Sequence, residues 1–474
     1  MKANTKKLNG MNGSKTQEPR RTDGMKGKAA SKASPAIAPV PTVALPFYRK
    51  SDWLAFGMAA LAVLMGYLLT VAPNLTLEDS GEMAVASMYG GVPHAPGYPV
   101  WTLYTWAFTK LLPFSNIAWR VAVASAFAGA LACGLIALMV SRGSGLILAS
   151  SGNFQDLETR WRKALEVVSG FVAGALMGFN GFMWSQAVIV EVYTLSILTL
   201  TAVMACLFRW IYAPHQRRYL YLAWFLFGIC LNNHQSLIVA ALAVEFCVAV
   251  GDMRLGRDLF LGNSVCYLLG LLAMGNGWLE ALRSNAPLLT FYHAVGLGSL
   301  SAMVWLAVKT RGLANQYRPA LASAGAFSAG VAFYFWMPLF SMTNPPMNWA
   351  YPRTVSGFFH ALTRGQYGPA QPVTNPLQFV EQLGRLALGA LQEFNFLYLL
   401  IGLLPLVLLK YLGTRERGWL SGGVAFYLTL GPMLLVLLNP GSDRGSQSLV
   451  KVFFAASHVP LAMAVGFGTA LGVG

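Results

Sequence analysis

Three carboxylates, Glu78, Asp79 and Glu82, crowd into five positions, and a histidine follows at His94. The chain has 474 residues and only 18 Asp or Glu in total, so this concentration invites a chemical reading. A carboxylate beside a hydroxyl can take its proton as a general base, and a second carboxylate can orient it or raise its pKa through like-charge proximity. Three acidic side chains could also gather a divalent cation through their oxygens, although no further acid stands nearby in sequence to complete a shell. A site without metal or cofactor is therefore expected. The spacing Asp79-x-x-Glu82 equally fits a capping box, in which the same two side chains only satisfy backbone amides at a helix start. Spacing alone leaves both readings open. Behind them, Gly90, Gly91, Pro93, Pro96, Gly97 and Pro99 force a stiff, non-helical path that holds His94 and Tyr98 still.

Other polar groups stand out against apolar surroundings. Glu191 is the only charge in WSQAVIVEVY (184–193), and a carboxylate at a membrane boundary usually faces a polar cavity or has a partner. Asn232, Asn233, His234 and Gln235 interrupt an apolar stretch; they could satisfy backbone freed at a helix break or face a shared cavity. Further on, Asn348 and Trp349 close the string NPPMNW, followed by Tyr351, Arg353, Arg364 and Tyr367. Arginine forks match phosphate oxygens and flat aromatic faces suit sugars, while the plainer alternative is an interfacial belt with snorkelling arginines.

The elements that position these residues must lie in a bilayer. The chain is 55% hydrophobic and 11% charged, against about 25% charged residues in a soluble domain. It reads as an all-α polytopic membrane protein of about twelve helices, near 53–72, 116–141, 164–183, 192–212, 219–233, 235–250, 258–275, 286–308, 319–340, 394–410, 418–438 and 453–474. Residues 1–50 carry eleven Lys or Arg against Glu18 and Asp23 and lack apolar periodicity, as a disordered basic cytoplasmic tail does. Residues 51–474 form the membrane domain. With the tail inside, 26 of the 34 basic residues fall on inner segments, which puts the loops 73–115 and 341–393 outside the cytoplasm. The first of these loops is expected to carry interfacial helices: Glu82–Tyr89, resting Met83, Ala86 and Met88 on the interface, and Val100–Leu112, with Arg120 snorkelling behind it. The five cysteines sit unpaired in apolar runs and form no metal or disulfide framework. Absence of a Walker loop, HExxH or GxSxG removes motif support for ATP-driven transport, zinc proteolysis and nucleophile-elbow hydrolysis. The last apolar run breaks off at Gly474, which leaves room for a downstream part.

The strings DSGE (79–82), GVPHAPGYP (91–99) and AWR (118–120) resemble the signature of multi-spanning proteins similar to protein O-mannosyltransferases, within the C-type glycosyltransferase superfamily. WSQAVIVEVYTL (184–195), NNHQ (232–235), NPPMNW with YPRT (344–354) and TRGQYG (363–368) follow in that family's order. Ala95 stands where a second proline is usual. The resemblance implies a C-type bundle, an inverting reaction without a nucleotide-sugar domain, and a polyprenyl-phosphate-linked sugar as donor. It also implies an acceptor protein or glycan on the outer side of a bacterial-type inner or plasma membrane, with no nucleic acid involved. The family's reacting acid matches Asp79.

On this reading Asp79 is the base, supported by Glu82 or Glu78; Arg353 and Arg364 receive the phosphate. His94, Tyr98, His234 and Trp349 line the sugar pocket, and Glu191 and Asn348 are further substrate-binding candidates. Two rivals remain. A lipid or solute transporter, such as a polyprenyl-lipid flippase, would place carboxylates near the bilayer midplane and show an internal repeat, and none is visible. A non-catalytic scaffold would use Asp79 only as a helix cap.

Overall fold

The computed structural model describes residues 46–76, 79–150 and 158–473. Glu78 and the basic tail up to residue 45 lie outside the described residues. The unit from Pro46 onward is built from helices: α1 (Lys50–Thr70), α2 (Ser80–Tyr89), α3 (Pro99–Leu111), α4 (Ile117–Ser150), α5 (Thr159–Gly178), α6 (Gly181–Ala187), α7 (Tyr193–Ile211), α8 (Arg217–Asn233), α9 (Ala241–Gly251) and α10 (Met253–Gly275). They are followed by α11 (Glu280–Arg283), α12 (Ala286–Thr310), α13 (Tyr317–Val331), α14 (Trp336–Met342), α15 (Val355–Leu362), α16 (Pro376–Val407), α17 (Thr414–Leu428), α18 (Leu434–Leu438), α19 (Arg444–Lys451) and α20 (Ala455–Val473).

All twelve apolar segments expected from the sequence are helical. Among the described residues, nine helices are long and apolar enough to cross a bilayer. The other three fall short for separate reasons. The α5–α6 pair bends by 66°, α8 has 17 residues, and the segment Gln235–Gly251 begins with a 3-10 stretch, Gln235–Ala240. Apolar side chains such as Leu69, Leu272 and Leu377 point outward from α1, α10 and α16, as lipid-facing residues do.

Helices α1, α4 and α5 form the tightest part of the bundle because small residues let their backbones meet. A Cβ on Gly170 would come within 2.5 Å of the Ala137 carbonyl, and one on Gly174 within 2.7 Å of the Cys133 carbonyl. With Gly178 these make a small-xxx-small ridge, the contact that membrane helices favour when burial of apolar surface no longer drives association.

One end of this core is ionic. The Arg49 guanidinium bonds Asp52 at 3.1 Å and Glu166 at 2.7 Å, and Ser141 donates to Asp52 at 2.8 Å. Arg142 and Arg209 both lie over the Phe47 ring, and Tyr212 donates to Glu416 at 2.7 Å. Arg49, Arg142 and Arg209 thus share one end of this core, and the acidic loop after α1 leaves from the other.

Candidate active site

Helix α2 starts at Ser80 with Asp79 in the N-cap position, yet the Asp79 carboxylate makes no capping hydrogen bond. Ser80 closes the turn instead: its Oγ donates to the Thr76 carbonyl at 2.6 Å and accepts from the Thr76 N–H at 3.1 Å. Glu82 is drawn elsewhere as well. Its Oε1 accepts from the backbone N–H of His94 and lies 3.1 Å from His94 Nδ1. The residues spaced for a capping box therefore do not form one. Burial opposes the charge on Glu82, but the hydrogen bonds from the His94 side chain and backbone outweigh it and hold the carboxyl below the ordinary carboxylate range.

His94 is 8% exposed. With Nδ1 engaged by Glu82, its Nε2 lies 3.3 Å from the Tyr98 hydroxyl and 3.9 Å from Asp79 Oδ2. The Asp79 side chain is 56% exposed, against 19% for Glu82. Asp79, Glu82 and His94 are the one group of three such side chains, among the described residues, whose ligand atoms lie close enough to hold a metal ion, within 4.8 Å of one another. Glu82 and His94 already satisfy each other, which leaves Asp79 as the outward-facing member.

The stiff loop behind α2 is anchored from two directions. Gly90 takes a left-handed conformation that ends α2, and Gly97 does so before Tyr98. Val92 pairs with the later loop: its N–H donates to the Met347 carbonyl and its carbonyl accepts from the Trp349 N–H, both at 2.9 Å. Asn348 thus lies in an isolated parallel bridge with Val92, and its Nδ2 donates to Ser341 at 3.3 Å. Trp349 is 41% exposed.

Helix α2 does not rest its apolar side chains on the interface as expected. Met83 and Ala86 are buried and only Met88 of the three is exposed; Ser87 Oγ meets Thr105 Oγ1 at 2.8 Å. Trp101 is buried and donates from Nε1 to the Glu191 carbonyl at 3.1 Å. Arg120 does not snorkel. It folds back onto the carbonyls of Thr109, Phe114 and Ser115 at 2.9 to 3.0 Å, fastening the end of α3.

Tyr98 connects this cluster to the rest. Burial raises its hydroxyl above the usual tyrosine range; Arg364 opposes that shift, while Glu191, Tyr367 and Asp79 add to it. All four are therefore within electrostatic reach of one hydroxyl. The Arg364 guanidinium lies 4.5 Å over the Tyr367 ring, and its charge also acts on His234 and Tyr334. Glu191 is 5% exposed, and its Oε2 accepts from the Val192 N–H at 3.1 Å. His234 ends α8 in extended backbone, with its ring against Tyr193 and Phe453 and its Nδ1 bonded to Ser236.

The other expected residues divide. Asn232 is a structural tie: its Nδ2 donates to Gly228 and Gly330, both at 2.9 Å. Gln235 donates to the Leu362 carbonyl at 2.8 Å, just ahead of Arg364. Asn233 is fully buried with neither side-chain polar atom bonded. Arg353 has different surroundings from Arg364. It bonds Asn344, lies 5.5 Å over Tyr351, and faces a cavity of about 490 Å³ formed by residues between Asn344 and Arg353. The sequence reading missed Tyr334, whose hydroxyl donates to the Leu231 carbonyl at 2.8 Å. It sits in the apolar run AFYFWM, where nothing distinguishes it from a core tyrosine.

Fold and site together define a polytopic all-α membrane protein with an acid–histidine cluster in the loop behind its first spanning helix. Residues 79–255 match the family model described as the Protein O-mannosyl-transferase TMEM260 N-terminal domain. Protein O-mannosyl-transferase TMEM260 of Mus musculus is 26% identical over 212 residues, 44% of this chain and 27% of the relative. The Dictyostelium discoideum protein O-mannosyl-transferase tmem260 is 26% identical over 234 residues, 47% of this chain and 27% of the relative. The chain thus aligns with little more than a quarter of each relative's length. The matches support an O-mannosyltransferase-like family, the one the motifs resemble.

Proposed function

We propose that this protein is an inverting membrane glycosyltransferase that moves a hexose from a polyprenyl-phosphate carrier to an acceptor hydroxyl, a protein Ser or Thr, on the extracytoplasmic side. The relatives' names point to mannose as the hexose. The observation that carries the reading is the state of Asp79. This carboxylate occupies a cap position without capping, remains exposed, and lies 3.9 Å from a histidine that Glu82 holds in place.

In the proposed reaction the acceptor oxygen attacks the anomeric carbon as the bond from that carbon to the lipid phosphate breaks on the opposite face. Asp79 takes the hydroxyl proton, and the leaving phosphate keeps the bonding electron pair. Arg364, close to Tyr98 and His234, is the better placed of the two arginines to meet that charge. Arg353 serves the outer cavity at Asn344–Arg353. Glu82 orients His94 through its backbone N–H and Nδ1. The outward placement of the site rests on the positive-inside count, together with the gathering of Arg49, Arg142 and Arg209 at the end of the bundle away from Asp79.

Purified protein, given labelled polyprenyl-phosphate mannose and a Ser/Thr-containing peptide, tests the reading directly. Asp79→Asn is expected to slow transfer by about 10²- to 10⁴-fold, the usual worth of a general base, while leaving thermal unfolding unchanged. Transfer at the wild-type rate sinks the assignment of Asp79, and impermeant labelling of a cysteine at position 79 from the cytoplasmic side sinks the orientation.

A further inference from the structure

Within the spanning helices, Glu245 on α9 is 4% exposed. Its two carboxylate oxygens accept from one amide, Asn263 Nδ2 on α10, at 2.9 and 2.7 Å. Among the described residues it makes no ion pair. A carboxylate in a bilayer is costly unless it serves a partner or a cavity, and here there is a cavity of about 310 Å³ between the 3-10 stretch Gln235–Ala240, α9, α10 and α12. Ser299 on α12 also lines it, 2% exposed, with its Oγ bonded to nothing among the described residues. The two tyrosines in the wall are already engaged: Tyr292 donates to the Tyr267 carbonyl at 2.7 Å, and the Tyr267 hydroxyl meets His293 Nδ1 at 2.9 Å. Met433, from the π-helical turn Thr429–Met433, completes one side. Such turns recur at functional sites.

These groups specify a ligand. The remaining lone pairs of Glu245 accept a proton, the Ser299 hydroxyl seeks a partner, and the remaining wall is mostly apolar. A hydroxyl complements both, donating to the carboxylate while accepting from Ser299. A carboxylate or phosphate head would have to bury its charge in that apolar wall, which a neutral hydroxyl does not. Entry is open from the lipid side, since Ile238 and Cys266 in the lining are exposed and only 17% of the apolar window of α12 is buried. We propose that this cavity binds a lipid alcohol, with its chain among the apolar residues of α10 and α12 and its hydroxyl between Glu245 and Ser299. The site is independent of the Asp79 cluster.

The test uses the full chain in phosphatidylcholine nanodiscs and hexadecanol carrying a photoactivatable diazirine. Hexadecanoic acid and hexadecyl phosphate probes with the same diazirine serve as comparators. Saturable labelling of α10 and α12 peptides by the alcohol, competed by plain hexadecanol and weak for both anionic probes, is expected. Ser299→Ala should raise the half-saturating concentration by about fivefold, the worth of one hydrogen bond, and Glu245→Leu should abolish saturable labelling. Ser299→Ala is a minimal change, so the test stands even where the Glu245 variant fails to fold. Equal labelling by the anionic probes, labelling that does not saturate, or an unchanged Ser299→Ala titration overturns the proposal.

Discussion

Gly91→Ala probes whether the acidic cluster depends on a loop more than 250 residues away. Gly91 needs no unusual backbone angle; what it needs is space. A Cβ there would stand 2.4 Å from the Met347 carbonyl oxygen, 3.3 Å from Met347 Cβ and 3.4 Å from Ala86 Cα. Such carbons keep at least 3.0 Å from other atoms, so the carbonyl must retreat by about 0.6 Å. That same oxygen accepts the Val92 N–H at 2.9 Å, and a retreat of this size takes the contact to the limit of a hydrogen bond. Overpacking costs about 1 to 3 kcal/mol and the weakened bond about 1 kcal/mol more, so local opening of the bridge becomes easier by about 2 to 4 kcal/mol. Since about 1.4 kcal/mol is tenfold, the Val92 and Trp349 amides should exchange hydrogen roughly 30- to 1,000-fold faster, while amides in α4 and α7 keep their protection. Gly298→Ala is the control, because nothing lies within 4 Å of its added carbon. Unchanged protection at Val92 and Trp349 in Gly91→Ala would refute the argument that this bridge holds the loop.

Three more outcomes follow from the packing. Arg49→Met removes the guanidinium shared by the buried carboxylates Asp52 and Glu166, leaving Asp52 to Ser141 and Glu166 to Arg162 at 3.5 Å, and should destabilise the protein by about 3 kcal/mol, read by thermal unfolding in detergent. Arg120→Ala leaves three carbonyls at the end of α3 without their donor, and should speed proteolysis near residue 114 with little change at α2. The folded pKa of Glu82 is depressed, so its stabilisation is complete above the ordinary carboxylate pKa and is lost as pH falls through the lower folded value. The unfolding-temperature gap between wild type and Glu82→Gln should therefore be widest near neutral pH and close on acidification below about pH 4.

The membrane architecture was legible in the sequence because spanning length and apolarity are local properties. Each of the twelve segments became a helix, and only their ability to span singly differed, through the bend after Gly178, the 17-residue length of α8 and the 3-10 start at Gln235. The site was less legible because its bonds are not local. Asp79-x-x-Glu82 is a capping box on paper, and His94, supplied by the stiff loop, is what takes Glu82 out of that role. Arg353 and Arg364 look equivalent in a string of aromatic residues; only the fold brings one within electrostatic reach of Tyr98 and ties the other to Asn344. Arg120 looked like a cation reaching for headgroups, and three nearby carbonyls claimed it first. Glu245 carries no signal in the sequence, since without its neighbours it is one acid in an apolar run.

The bridge between Val92 and Asn348 bears on how this molecule can be dissected. The stretch shared with the TMEM260 family model stops at residue 255, whereas the far side of that bridge, the arginine within electrostatic reach of Tyr98 and the acceptor of the Gln235 amide all come from residues 347 to 364. A fragment trimmed to the homologous stretch would carry the acids and the histidine on a loop that has lost its bridge partner. Function should therefore be sought in preparations that retain both halves of the polypeptide, co-expressed as separate pieces if need be.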